Sequence, residues 1–188
     1  MKKNLTIILL FISFFSIGQK YDFVKILPGQ GIVYNNDSIL LKKTSITDTF
    51  KTLKIKDTSN PNVFSITNWD GIDSETGEWT SGTVYTREIE FKSITFNFSH
   101  ETSLDSLELN SIEIKENSNL KIYTDNGIMI GMINPKIKEY YPLIGKQDYI
   151  SDSGLTYNLY KYGISFQLEK LENNDLRLIE ISTHLIYE

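Results

Sequence analysis

The chain has 188 residues, 40% of them hydrophobic, with 24 acidic and 19 basic side chains, two histidines and no cysteine. That length supports one core without covalent staples, and the lack of cysteine excludes disulfides, thiolate metal sites and lipid attachment at a cysteine. A net charge of −5 argues against nucleic acid and anionic membrane as partners, because phosphate binding needs clustered Lys and Arg.

Residues 1–18 have the form of an export signal. Lys2 and Lys3 precede an apolar run from Leu5 to Ile17, and Ser16 and Gly18 are small residues ahead of a cut before Gln19. The run is shorter than the roughly 20 residues a membrane span needs. No later apolar run is long enough to span either. Export without cysteine places the mature chain, 19–188, in a bacterial periplasm or the medium. Tyr21 to Ile26 reads as a strand and Pro28-Gly29-Gln30-Gly31 as a turn. Ile32 to Tyr34 and Ser38 to Leu41 bracket Asn35-Asn36-Asp37, which predicts a hairpin because Asn and Asp tolerate positive φ. Ser45 and Asp48 resemble a capping box, and Ile46, Phe50 and Leu53 fall on one helical face. Further on, Ile94, Phe96 and Phe98 alternate with polar residues, as do Ile112 and Ile114. In the second half, Thr124-Asp125-Asn126-Gly127 predicts a second hairpin. Asn134 reads as an N-cap, Pro135 as the first helical residue and Gly145 as the helix end, with Pro142 bending the helix. Ile164, Phe166 and Leu168 then answer Ile179 and Ile181. Alanine, the best helix former, is absent, while β-branched and aromatic residues abound, which tilts the chain toward strands.

These elements recur in the same order. Val33–Leu41 lies over Ile122–Ile130, the helical triplet Ile46, Phe50, Leu53 over Ile137, Tyr141, Ile144, Ile94–Phe98 over Ile164–Leu168, and Leu109–Ile114 over Leu176–Ile181. Such recurrence predicts a tandem duplication. The expected fold class is α+β: two strand-strand-helix-strand-strand units, about 32–114 and 120–183, forming one continuous, mainly antiparallel sheet covered by two short helices. Glu116-Asn117-Ser118-Asn119 joins the units and is too short for a free linker, so a single domain with pseudo-twofold symmetry is expected.

Subtracting one unit from the other leaves an insert at about 57–90. The chain from Leu53 to Ile94 is about twice as long as its counterpart from Ile144 to Ile164. Long connections that a fold does not require are usually functional or disordered, and two tryptophans argue against disorder. The insert holds Trp69, Asp70, Asp73, Glu75, Glu78, Trp79 and Tyr85, which are the candidate ligand-binding residues. Tryptophans supply large rigid contact area and stack on flat ligands and sugar rings. Three readings apply: a structural hairpin with a solvated acidic tip, a binding surface, or an irregular calcium loop built from the carboxylates. The acid spacing does not fit an EF-hand, and no cofactor is expected.

Enzyme signatures are sparse. The chain has no Gly-x-Ser-x-Gly elbow and no phosphate-cradling glycine loop before a helix. His100 and His184 lie far apart and read as structural or surface residues, which leaves zinc without a ligand set. Asp70, Asp73, Glu75 and Glu78 include the acids a glycosidase pair would need. Crowded on one loop, they read first as a solvated tip. Tyr157, Tyr160 and Tyr162 form an aromatic patch on a strand, read as cross-strand packing.

Gly31-Ile32 at the start of a unit, with Ile112-Glu113-Ile114 and Ile179-Glu180-Ile181 as last strands, resembles a broad group of small exported bacterial proteins of unknown function built from tandem α+β units. In architecture the chain is also similar to the β-lactamase inhibitor protein. That family stitches its units with disulfides and opens each with a helical hairpin, and this chain does neither, so no inhibitory residue carries over. The resemblance implies a protein-binding role. The expected function is therefore an exported, non-enzymatic binding module that contacts a protein or glycan of the envelope or medium through the insert. The alternatives are a carbohydrate-acting enzyme using the insert carboxylates, and a structural envelope protein with no ligand of its own. No oligomeric state follows from these residues.

Overall fold

Short runs of β-branched and aromatic residues, punctuated by Asn, Gly and Lys at positive φ, build strands along about half of the described residues. The computed structural model describes residues 21–55, 64–72, 76–101 and 106–186. The expected export signal and the acids Asp73 and Glu75 lie outside them. Strand accounts for 52% of the structure and helix for 9%. In chain order the elements are β1 (Asp22–Leu27), β2 (Gly31–Tyr34), β3 (Asp37–Leu40), α1 (Ile46–Leu53), β4 (Phe64–Ile72), β5 (Trp79–Phe91), β6 (Ile94–His100), β7 (Glu108–Lys115), β8 (Leu120–Thr124), α2 (Ile137–Tyr140), β9 (Tyr149–Ile150), β10 (Thr156–Leu159), β11 (Ile164–Lys170) and β12 (Leu176–His184).

The strands form two sheets. A four-stranded sheet runs β3-β2-β1-β8, and an eight-stranded sheet runs β4-β5-β6-β7-β12-β11-β10-β9. All pairings in the larger sheet are antiparallel, whereas β1 and β8 pair in parallel. Val24, Ile26, Ile32 and Ile122 of the smaller sheet join Phe96, Phe98, Ile112, Ile114, Phe166 and Ile181 of the larger one in a single buried cluster, and β2 lies over β7 and β12. The core is the space between the two sheets. At Phe96, Phe98 and Phe166 alone, each fully buried side chain contributes about 1.5–3 kcal/mol relative to exposure.

This architecture overturns the expected α+β class with tandem repeats and one continuous sheet. The molecule is mostly β, with two sheets and, among the described residues, two helices of eight and four residues. The second half departs from the first for local reasons. Residues 35–36 turn back into the full strand β3, and Asn35 and Asn36 take φ of 55° and 138°. At the corresponding place in the second half, Gly127 and Gly131 both take positive φ, and pairing shrinks to one bridge between Tyr123 and Met129. Asn134 is not an N-cap. It takes φ of 49°, donates to Asp175 Oδ1 at 2.8 Å and accepts from the Leu176 amide at 2.8 Å, pinning its loop to the β11–β12 turn. Pro142 stops the helix after one turn, since the residue before proline avoids the helical region.

The first helix forms as its residues suggest. Ser45 Oγ accepts from the Asp48 amide at 3.1 Å and donates to its carboxylate at 2.7 Å. Leu53 is buried, with Ile46 and Phe50 packed against the core, and Lys54 closes the helix in the left-handed region.

Asp22 ties the smaller sheet to the larger one. It accepts from Tyr34 Oη at 2.8 Å, Asn35 Nδ2 at 2.7 Å and Lys92 Nζ at 2.6 Å, and Lys92 sits in the β5–β6 turn. Lys92 first, then Asn35 and Tyr34, hold the carboxyl at about 2, against an ordinary 3.8. The unfolded chain therefore binds the proton more tightly, and this stabilisation is present above pH 3.8 and lost as pH falls through about 2. Asp22→Asn should cost about 1–2 kcal/mol at pH 7, discounted for the half-exposed lysine. Urea unfolding at both pH values checks this: the gap between variant and wild type should close toward pH 2. A gap that stays constant with pH rules out the ion pair as its source.

Candidate functional site

β5 has 13 residues, but β6 covers only its second half. Pairing with β6 begins at Tyr85↔His100 and ends at Phe91↔Ile94. Trp79 to Val84 pair with β4 alone. The β4–β5 hairpin thus continues past the sheet as a two-stranded ribbon about 20 Å long. Among the described residues, none between Leu53 and Ile89 belongs to the buried core. The ribbon lies inside the 57–90 segment that the sequence singles out, and among the described residues no other strand pairs with it.

The register sorts the predicted residues, because directly opposed residues of an antiparallel pair share a face. On one face Ile66 stands opposite Tyr85, Asn68 opposite Thr83, Asp70 opposite Ser81, and Ile72 opposite Trp79. On the other, Thr67 stands opposite Val84 and Trp69 opposite Gly82. Trp79 and Asp70 are therefore diagonal neighbours, while position 69 pairs with Gly82 at the alternate register. Tyr85 shares the face of Trp79 but sits about 20 Å away, at the root, beside His100. Glu78 is exposed at the tip, where its amide bonds Thr76 Oγ1 at 3.3 Å. Of the seven candidates, the structure brings Asp70 and Trp79 together, with Tyr85 in line and Glu78 beside them. Position 69 falls at the alternate register of β4, and the calcium reading depends on acids outside the described residues.

Trp79 is 69% exposed, and Ile66 is 55% exposed. Between them lies a shallow depression of about 480 Å³ lined by Asn68, Asp70, Ser81, Gly82 and Thr83. Thr83 Oγ1 donates to Asn68 Oδ1 at 3.0 Å, which leaves the Asn68 amide hydrogens directed by that bond. The face offers one carboxylate, one carboxamide and two hydroxyls beside an open indole. Sequence reasoning missed Asn68, Ser81 and Thr83. Their signal was the alternation with Asp70 and Trp79 that a hairpin imposes, readable only once the turn is located.

A second depression, of about 440 Å³, lies at the ribbon's root and brings together Lys42, His100, Glu101 and Glu108. His184 does not join it. Its Nε2 faces Ser165 Oγ at 3.1 Å and its Nδ1 faces the Leu185 carbonyl at 2.9 Å, which fastens the end of β12 to β11. On the outer face of the sheet, burial and the neighbouring Glu113 raise the Glu180 carboxyl above its usual range. Asp148 behaves oppositely. Burial alone would raise it, but the amides of Lys161, Ile144 and Gly145 outweigh that and hold it low.

Among the described residues, no helix is long and apolar enough to cross a membrane. Compared with protein-family models, curated proteins and solved structures, the chain matches none.

Proposed function

We propose that this protein is an exported, non-enzymatic binding module whose ribbon face takes a glycan of the envelope or medium. The observation that carries the reading is the exposed Trp79 beside a depression lined wholly by Asn68, Asp70, Ser81, Gly82 and Thr83. Sugar rings present C–H groups that pack on an indole and hydroxyls that bond carboxylates and amides, so they match both halves of this face. Ligand-binding faces combine apolar contact with a few placed polar groups in the same way. Asp70 and Glu78 are exposed, and the glycan reading uses Asp70 as a hydrogen-bond acceptor for sugar hydroxyls.

The test is titration of the mature protein with soluble peptidoglycan fragments and other oligosaccharides, read by tryptophan emission and calorimetry. Trp79→Ala should weaken binding at least about tenfold, a loss of about 1.4 kcal/mol or more. Trp79→Phe should retain part of the affinity and assign the emission change. Binding indifferent to Trp79→Ala removes the glycan reading. Turnover of the sugar that disappears in Asp70→Asn replaces it with the enzyme.

A further inference from the structure

β4 is the outermost strand of the larger sheet and has nine residues. Among the described residues, no strand pairs with its outer side. In an antiparallel ladder, alternate residues turn N–H and C=O away from the partner, so β4 offers a row of unpaired backbone groups. Proteins usually blunt such edges with short strands, lysine or proline. The opposite end of the same sheet is blunted, because β9 has two residues. The smaller sheet ends in the four-residue β3 and in β8, whose free side is bridged at Met129. β4 carries none of these devices. Its sequence, FSITNWDGI, has no lysine and no proline, and its one charge is Asp70.

We propose that β4 pairs antiparallel with β4 of a second copy of this chain, joining two eight-stranded sheets across a twofold axis. Charge selects the direction and admits a second copy as the occupant. A parallel arrangement would set the acidic tips, with Asp70 and Glu78, side by side in a protein already at −5. The antiparallel one sends the tips to opposite ends. With the axis at Thr67, Asn68 or Trp69, Asp70 stands opposite Phe64, Ile66 or Asn68 of the other copy, so no like charges meet. Growth into a filament would need a second long edge. The two-residue β9 does not supply one, so the pairing closes as a dimer. A twofold perpendicular to the sheet keeps both Trp79 faces on the same side. For an axis at Asn68 they lie about 30 Å apart, a spacing that lets one polymer engage both and raises avidity without new contacts.

The absence of native cysteine makes the test direct. Wild-type protein should sediment as a dimer at about 100 µM, with mass-action dissociation on dilution. Single cysteines are placed at Thr67→Cys, Asn68→Cys and Trp69→Cys, with Ser38→Cys on β3 as control. Under mild oxidation at least one β4 variant should convert mostly to a disulfide-linked dimer, while Ser38→Cys stays monomeric. Trp79→Ala should sediment as wild type does, which separates this pairing from glycan binding. A wild-type monomer at that concentration overturns the proposal, as does β4 cross-linking no greater than the control's.

Discussion

Gly163→Ala should destabilise the protein by about 3–5 kcal/mol, enough to threaten a domain whose whole stability is about 5–15 kcal/mol. Gly163 takes φ of +65° at the junction of the two sheets. A Cβ there would sit 2.4 Å from Gly29 Cα, 2.5 Å from the His184 carbonyl oxygen and 2.8 Å from Gly29 N. All three are backbone atoms, so no flexible side chain can yield. The Gly163 carbonyl also accepts from the Gly29 amide at 3.0 Å, the His184 amide at 3.0 Å and Thr183 Oγ1 at 3.2 Å. Moving the backbone to admit a methyl group strains all three bonds, each with a net value of about 1 kcal/mol, on top of the left-handed penalty of about 1 kcal/mol. Gly154→Ala is the matched control, with φ of +71° and open space around the added Cβ. It should lose only about 1 kcal/mol. Urea unfolding of the two variants measures the difference. Equal losses would mean that the sheet junction yields and that the close approach does not set the packing.

Replacing residues 68–83 with Asn-Gly should leave the fold nearly intact and abolish glycan binding. Thr67 and Val84 are register partners, so a two-residue type I′ turn closes the shortened hairpin in its native pairing. Among the described residues the cut removes none of the buried core, and it keeps every pairing between β5 and β6. An isolated two-stranded ribbon is marginal in water, so its loss should change unfolding free energy by no more than about 1 kcal/mol. Thermal unfolding and glycan titration together decide the matter. A variant that fails to fold would make the ribbon structural, and one that folds and still binds would move the site elsewhere. Because the cut also removes the outer half of β4, dimerisation should fall with it, and Trp79→Ala separates the two losses.

Period-two alternation located β6, β7 and β11 correctly, since Ile94, Phe96, Phe98, Ile112, Ile114, Ile164, Phe166 and Leu168 are all buried. It failed in β12. A bulge shifts the register between Gln167 and Leu168, so Leu178 faces the core with Ile181 while Ile179 turns away. A bulge adds one residue on one strand and resets which face follows, and a single strand read by itself contains no mark of it. The duplication reading singled out the 57–90 segment by a route the structure does not support. The 57–90 region stands out because its hairpin outruns β6, not because the halves of the chain match. The same reading grouped both tryptophans, whose positions fall at alternate places in the register.

Composition and local pattern determined by themselves that this acidic chain without alanine or cysteine is rich in strands, where its Asn-Asn turn and its Ser45 cap fall, and that an aromatic, acidic stretch interrupts it. These are consequences of residue-level propensities and short-range spacing. Only tertiary structure decided that the strands divide into two sheets, that β1 and β8 run parallel, and that Trp79 and Asp70 share one open face. Those outcomes depend on pairings between residues distant in sequence, where register, bulges and close glycine contacts select among arrangements that every strand allows equally on its own.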